Sequence, residues 1–143
     1  MTQVDFYVLN NAPLAQAERF VCLLVEKAFK KGHKIHVQTN NAEQTERIDK
    51  LMWTYNDLSF LPHVTSGDEL QQETPIHISH LDNSTTFNDV LINLKSEIPV
   101  FFGLFNRIAE IVADEPRLKQ LARQRYRQYK SQGLEILSHD VNR

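Results

Sequence analysis

The chain of 143 residues is poor in glycine: Gly32, Gly67, Gly103 and Gly133 are all it has, and no two lie near each other. A Walker A loop and a G-x-G-x-x-G turn both need clustered glycines, so that backbone amides can approach a phosphate. Both are excluded, and so is the G-x-S-x-G elbow that presents a nucleophilic serine. Cys22 is the only cysteine. No internal disulfide can form, and a reducing cytoplasm is the expected location. The longest apolar run, "FVCLLV", falls far short of the ~20 residues that span a bilayer. "MTQVDFYVLNN" lacks the basic and apolar regions of a signal peptide, so no export and no membrane partner are expected. A global basic excess is missing as well: 16 Lys and Arg face 18 Asp and Glu, for a net charge of -2. That balance argues against a general DNA coater, so any anion binding must come from a local patch.

What is present reads as one α/β domain spanning 1–143. "VDFYVL" (4–9) is a short, nearly continuous apolar run, the mark of a strand buried on both faces. Pro13 suits the first turn of a helix, whose apolar face runs from Leu14 to Ala28 and stops at Gly32. "KIHVQT" (34–39) reads as a second strand. Asn41 and Gln44 have capping-box spacing ahead of a second helix with Ile48, Leu51 and Met52 on its apolar face. Strand, helix, strand, helix favours a parallel sheet. "IHISH" (76–80) and "DVLINLK" (89–95) read as further strands, separated by a polar loop, and 65–75 reads as another loop. "RIAEIVA" (107–113) is expected to be the last strand. Asp114, Glu115 and Pro116 then open a helix that runs to Gly133. "IPVFFGLF" has no clear type, and the tail "LEILSHDVNR" has no assignment.

Candidate chemistry is sparse. His33 and His36 are three apart, as are His77 and His80, and on strands that spacing points the two rings to opposite faces. Neither pair could chelate one metal, and no H-E-x-x-H is present, so no metal and no cofactor are expected. Asp5, on the first strand, is the carboxylate to watch; the simpler reading is a hydrogen-bonded acid. Cys22 reads as a small core residue. A nucleotide- or metal-dependent enzyme is the weakest of the functional readings.

The informative stretch is "LKQLARQRYRQYK" (118–130). At roughly 100° per residue, Lys119, Arg123, Tyr126, Arg127 and Lys130 share one stripe. Leu118, Leu121, Ala122 and Tyr129 occupy the neighbouring, core-facing side, and Arg125 falls awkwardly among them. No acid lies between Glu115 and Glu135, so the i,i+4 ion pairs of a passive charged face are missing. Cations around an aromatic ring suit a ligand with carboxylates and a flat or greasy end group. They also suit stacked single-stranded bases. Geometry alone leaves three readings open: a solvated face, a site for an acidic protein motif, and a nucleic-acid site.

This last helix, "LKQLARQRYRQYKSQG" (118–133), resembles the C-terminal helix of the chi subunit of bacterial DNA polymerase III. "FYVL", the helix with Cys22, "RIDKLMW" (47–53), "SFLPH" (59–63), "PIHI" (75–78) and "DVLINL" (89–94) follow that family in order. Residues 64–88 keep little of it beyond "PIHI", and the tail beyond Gly133 does not follow it.

The resemblance implies a three-layer, Rossmann-like fold: a mostly parallel sheet with helices on both faces and no nucleotide-binding loop. It implies a non-catalytic accessory subunit of the DNA polymerase III holoenzyme in replication. One partner is the acidic C-terminal tail of the single-stranded-DNA-binding protein, which ends in Pro-Phe with a free carboxylate. The other is the psi subunit, through which the chain joins the clamp loader. Contact with DNA would then be mainly indirect; direct single-stranded DNA binding by the same helix is the alternative. The family's tail-binding positions match Lys119, Arg123, Tyr126 and Arg127, with Val112 at the neighbouring strand end. Its psi-facing positions match Trp53, Phe60 and Pro62, which would otherwise read as core.

Overall fold

The computed structural model describes residues 2–54, 63–65, 75–81 and 89–142. Along the chain these form β1 (Gln3–Asn10), α1 (Leu14–Lys30), β2 (Ile35–Gln38), α2 (Ala42–Thr54) and β3 (His63–Thr65). Then come β4 (Ile76–Ser79), β5 (Val90–Asn93), β6 (Arg107–Val112), α3 (Pro116–Ser131) and β7 (Glu135–Asn142). One turn of 3-10 helix, Phe102–Leu104, precedes β6.

The strands form one sheet in the order β3-β4-β2-β5-β6-β1-β7, and every pairing among the described residues is parallel. Parallel sheets need both faces covered, and two apolar clusters do this. On one face Leu9, Val37, Ile78, Ile92 and Ile111 pack under Phe20, Val21 and Val25 of α1 and under Ile48 and Met52 of α2. On the other face Val4, Phe6, Leu91, Ile108 and Val112 pack under Phe101, Phe105, and Ala122 and Tyr129 of α3. Neighbouring strand residues alternate between the clusters, as Phe6 and Tyr7 or Leu91 and Ile92 do, because successive side chains point to opposite faces. The three-layer α/β expectation therefore holds.

Local signals account for most of the element ends. Pro13 caps α1 and fixes the entry angle, its carbonyl accepting from the N–H groups of Gln16 and Ala17. Gly32 leaves α1 in the left-handed region at φ +86, which a side chain would disfavour. The Asn41 side chain accepts from the Gln44 N–H at 2.9 Å. In return the Gln44 side chain accepts from the Asn40 N–H at 2.9 Å, one residue earlier than in a standard capping box. Asp114 does not cap α3; Glu115 occupies that position and Pro116 follows it.

Two sequence expectations need correction. Strand 107–113 is not the last: the unassigned tail forms β7, paired with β1 over all eight residues from Gln3↔Glu135 to Asn10↔Asn142. As an edge strand with mostly exposed side chains, it carries little of the apolar pattern by which buried strands are found. Thr65, placed in a loop, ends the short strand β3. β4 and β5, adjacent in sequence, are not neighbours in the sheet, since β2 lies between them. The two loop expectations lie mostly outside the described residues.

Candidate functional site

α3 lies across β6, β1 and β7, and a groove of about 560 Å³ opens along its outer side. Its floor is apolar: Phe6 and Val8 of β1, Val112 of β6 and Ala122 of α3, with Ser138 of β7 at one margin. Its wall is the sequence-predicted stripe, Lys119, Arg123, Tyr126, Arg127 and Lys130. The structure thus brings all five predicted residues of this group, Lys119, Arg123, Tyr126, Arg127 and Val112, to one concavity. Phe6, Val8, Ala122 and Ser138 are what sequence reasoning missed. Phe6 and Val8 share a strand face with Val4 by period-two alternation, which was a readable signal. Ser138 had none, because its strand was not recognised.

The aromatic residue in the wall is seated by others. The Tyr126 ring lies 5.6 Å from that of Phe6, and Phe6 in turn meets Tyr129 edge-on at 6.1 Å, a spacing typical of favourable aromatic pairs. Tyr126 is 37% exposed, so one side of the ring remains available to a ligand. Arg123, Arg127 and Lys130 are exposed, and none forms a salt bridge with an acid among the described residues. Lys119 differs: its ammonium sits 2.6 Å from the Asp114 carboxylate.

Beneath the groove a buried polar network fixes the rotation of α3. Glu110 of β6 has no exposed surface. Its carboxylate accepts from Arg125 Nε at 2.9 Å, from the Tyr129 hydroxyl at 2.7 Å and from Asn93 Nδ2 at 2.9 Å. Arg125 Nη1 also donates to the Ser96 carbonyl at 3.0 Å. Burial pushes the Glu110 carboxyl up, while the Arg125 charge and the three hydrogen bonds pull against that rise. The same burial, with the Glu110 charge beside it, pushes the Tyr129 hydroxyl far above its ordinary range. The awkward Arg125 is therefore paired with a buried acid, and the residue hidden from sequence reasoning was its partner. Arg125 and Tyr129 are four apart and so lie on one side of the helix, while Arg123, Tyr126 and Arg127 project on the other.

A second concavity, about 660 Å³, runs between α1 and α2 and includes Ala15, Leu51 and Trp53. Trp53 stands on the last turn of α2 and is 57% exposed, so it is not a core residue. Its ring packs 4.8 Å from the buried His63 ring, which lies 3.1 Å from the Asp49 carboxylate. Glu18 of α1 holds this wall together, accepting from Arg47 Nε at 3.1 Å, Arg47 Nη2 at 2.9 Å and Gln44 Nε2 at 3.0 Å. Phe60 and Pro62 lie outside the described residues.

The remaining candidates resolve as structure. Asp5 is 3% exposed. Burial alone would raise its carboxyl, but Arg107 Nη2 at 2.8 Å and His139 Nε2 at 3.0 Å together hold it below its ordinary value. Cys22 is fully buried, and burial pushes its thiol up to about 12, which leaves it inert at neutral pH. His36 and His77 face each other across β2 and β4, ring centroids 6.4 Å apart. No group of three or more metal-ligating side chains occurs among the described residues, and no helix there is long and apolar enough to cross a membrane.

The chain is similar to known proteins over nearly its whole length. A family model described as DNA polymerase III chi subunit, HolC, matches residues 1–137. The chain is 32% identical over 143 residues to the DNA polymerase III subunit chi of Pseudomonas aeruginosa, covering 100% of this chain and 99% of that one. It is 34% identical over 138 residues to that of Haemophilus influenzae, covering 96% of each. Among solved structures, that of T4 UvsW superposes with a TM-score of 0.68 at 10% identity, over 99% of this chain. The chain spans only 42% of the UvsW structure, so that likeness concerns the fold alone. A match over nearly the whole length, together with relatives of the same size, means that the chain belongs to the DNA polymerase III chi subunit family.

Proposed function

We propose that this member of the replicative polymerase's chi family is a non-catalytic adaptor. Its α3 groove takes the acidic C-terminal tail of the single-stranded-DNA-binding protein, and its Trp53 surface takes the psi subunit, which leads to the clamp loader. The observation that carries the first half is the convergence of Lys119, Arg123, Tyr126, Arg127 and Val112 on one groove with an apolar floor. In this reading Arg123 grips the terminal carboxylate, because its planar fork gives two directional bonds. Lys119 and Arg127 meet the acidic residues upstream. The phenyl ring of the last residue lies against Tyr126 and Val112, with Phe6 and Val8 beneath. The exposed Trp53 over an apolar concavity supports the second half, since apolar surface of this kind is commonly covered by a partner. DNA would then be reached mainly through the protein that coats it.

The test is a titration of a labelled acidic peptide ending in Pro-Phe. A charge-assisted hydrogen bond contributes about 1.5–3 kcal/mol, so Arg123→Met should weaken binding tenfold or more. Amidating the terminal carboxylate should weaken it similarly and add little further loss in Arg123→Met. Absence of peptide binding, or equal binding by Arg123→Met, would overturn the reading. Micromolar binding of an oligonucleotide at physiological salt, with no other protein present, would favour direct DNA binding instead.

A further inference from the structure

We propose that Asp114 is a specificity-determining residue of the groove: a built-in competitor that occupies Lys119 in the free protein and steers the ligand's carboxylates towards Arg123, Arg127 and Lys130. The proposal rests on the reading of the groove as a site for an acidic peptide. Lys119 lines the groove and Asp114 does not, yet their side chains meet at 2.6 Å. Of the four cations in the wall, Lys119 alone has an acidic partner among the described residues. A ligand carboxylate gains Lys119 only by sharing it with an acid that is already in place.

The acid is not free to move aside. Asp114 Oδ2 accepts from the Asn11 N–H at 2.6 Å, and the Asp114 N–H donates to the Ala12 carbonyl at 2.8 Å. Both contacts tie it to the turn after β1, where Asn11 holds the left-handed conformation at φ 60. Lys119 and the Asn11 amide keep the Asp114 carboxyl below its ordinary range, so it is ionised whenever the groove can bind. Its location matters as much as its charge. Asp114 and Glu115 precede the first turn of α3, whose unpaired N–H groups would otherwise attract an anion. Two carboxylates there oppose an acidic chain sliding towards that end. They leave the cations at 123, 127 and 130, further along the helix, as the unopposed contacts, with Lys119 shared between Asp114 and the ligand's upstream acids.

Asp114→Asn removes the charge but keeps a side-chain oxygen for the Asn11 N–H, so it is the variant of choice. The acidic Pro-Phe peptide is titrated against wild type, Asp114→Asn, Lys119→Met and the double variant, at low and high salt. Releasing a lysine from a partly exposed ion pair and offering it to the ligand should tighten binding about two- to fivefold. The salt dependence should steepen, because one more cation takes part. Lys119→Met should abolish that gain. Asp114→Asn that melts normally but binds no tighter would overturn the proposal, as would a gain that persists in full in the double variant. A measurement without peptide or substitution stands beside these. Acetic anhydride should acetylate Lys119 more slowly than Lys130 in the unsubstituted protein, and equal rates would refute the pairing. Failure of the groove reading looks different: wild type then binds no peptide, whatever the reactivity of Lys119.

Discussion

Replacing Arg125 with Gln should destabilise the fold strongly, and more at pH 8 than at pH 5. Arg125 is 5% exposed and Glu110 is fully buried, and their bond is 2.9 Å. Removing one partner of a buried ion pair leaves the other charge uncompensated, at a cost on the order of 3–5 kcal/mol. For a chain of this size that corresponds to roughly 10–15 °C in melting temperature. The pH arm follows from linkage. Burial already raises the folded-state Glu110 carboxyl, and the Arg125 charge is the first effect opposing the rise. Without Arg125 it rises further. A carboxyl whose folded pKa exceeds its unfolded value stabilises the fold below the unfolded value, and that stability is lost as pH rises through the folded value. The difference between Arg125→Gln and wild type should therefore shrink as pH falls from 8 to 5, towards the raised folded value of the Glu110 carboxyl. The Glu110→Gln and Arg125→Gln pair completes a double-mutant cycle. An amide at 110 can still accept from Tyr129 and Asn93, so the double variant should recover about 1–2 kcal/mol relative to Arg125→Gln. Urea denaturation at each pH reads all of this. Additive single effects, or an Arg125→Gln deficit that is the same at pH 5 and pH 8, would refute the account.

Three further outcomes follow. Burial, and then repulsion from His36, depress the His77 imidazole to about 4, so the unfolded chain takes up a proton near pH 6.5 that the folded chain refuses. Stability should fall as pH drops from about 6.5 towards 4, by roughly 3 kcal/mol from this residue; His77→Gln should flatten that part of a urea-midpoint profile, and an unchanged profile would count against it. Asp5 acts in a lower window: its depressed carboxyl contributes stability above about pH 4 that is lost on further acidification, and Arg107→Met should reduce that loss in acid melts. Trp53→Ala should change stability by less than about 1 kcal/mol, because the side chain is 57% exposed, while weakening psi binding in a pull-down; a large drop in melting temperature would return Trp53 to the core.

Much of the sheet was readable because its strands are buried on both faces. "VDFYVL" and "DVLINL" stand out as apolar runs for that reason, and the three helices announce themselves through Pro13, the Asn41–Gln44 pair and Glu115–Pro116. β7 was not readable. It lies at the edge with one neighbour, β1, so its residues need satisfy little more than one backbone ladder, and "EILSHDVN" shows no apolar face. The groove was half legible for a related reason. Its wall is one helix, and 3.6-residue periodicity collects Lys119, Arg123, Tyr126, Arg127 and Lys130 from a single stretch. Its floor needs three strands distant in sequence, and no local period joins Phe6, Val112 and Ser138.

Arg125 shows what periodicity leaves out. On a helical wheel it violates the apolar side of α3, and nothing local says whether such a residue is strained, exposed or paired. The answer lies on β6, where Glu110 is the one acid in "RIAEIV". Each residue is anomalous alone: a carboxylate in a fully buried strand position, a guanidinium on a core-facing helix side. Burial of either without the other is costly, whereas together they satisfy each other and engage Tyr129 and Asn93. Apolar packing alone holds a helix against a sheet, but the hydrophobic effect behind it is non-directional. The bonds from Arg125 and Tyr129 to one carboxylate are directional. A rotation that swung Tyr126 off Phe6, or turned Arg123 away from the groove, would break them. The buried pair is thus the physical reason why the outward stripe of α3 has a fixed aim, and the two halves of "LKQLARQRYRQYK" form a single device.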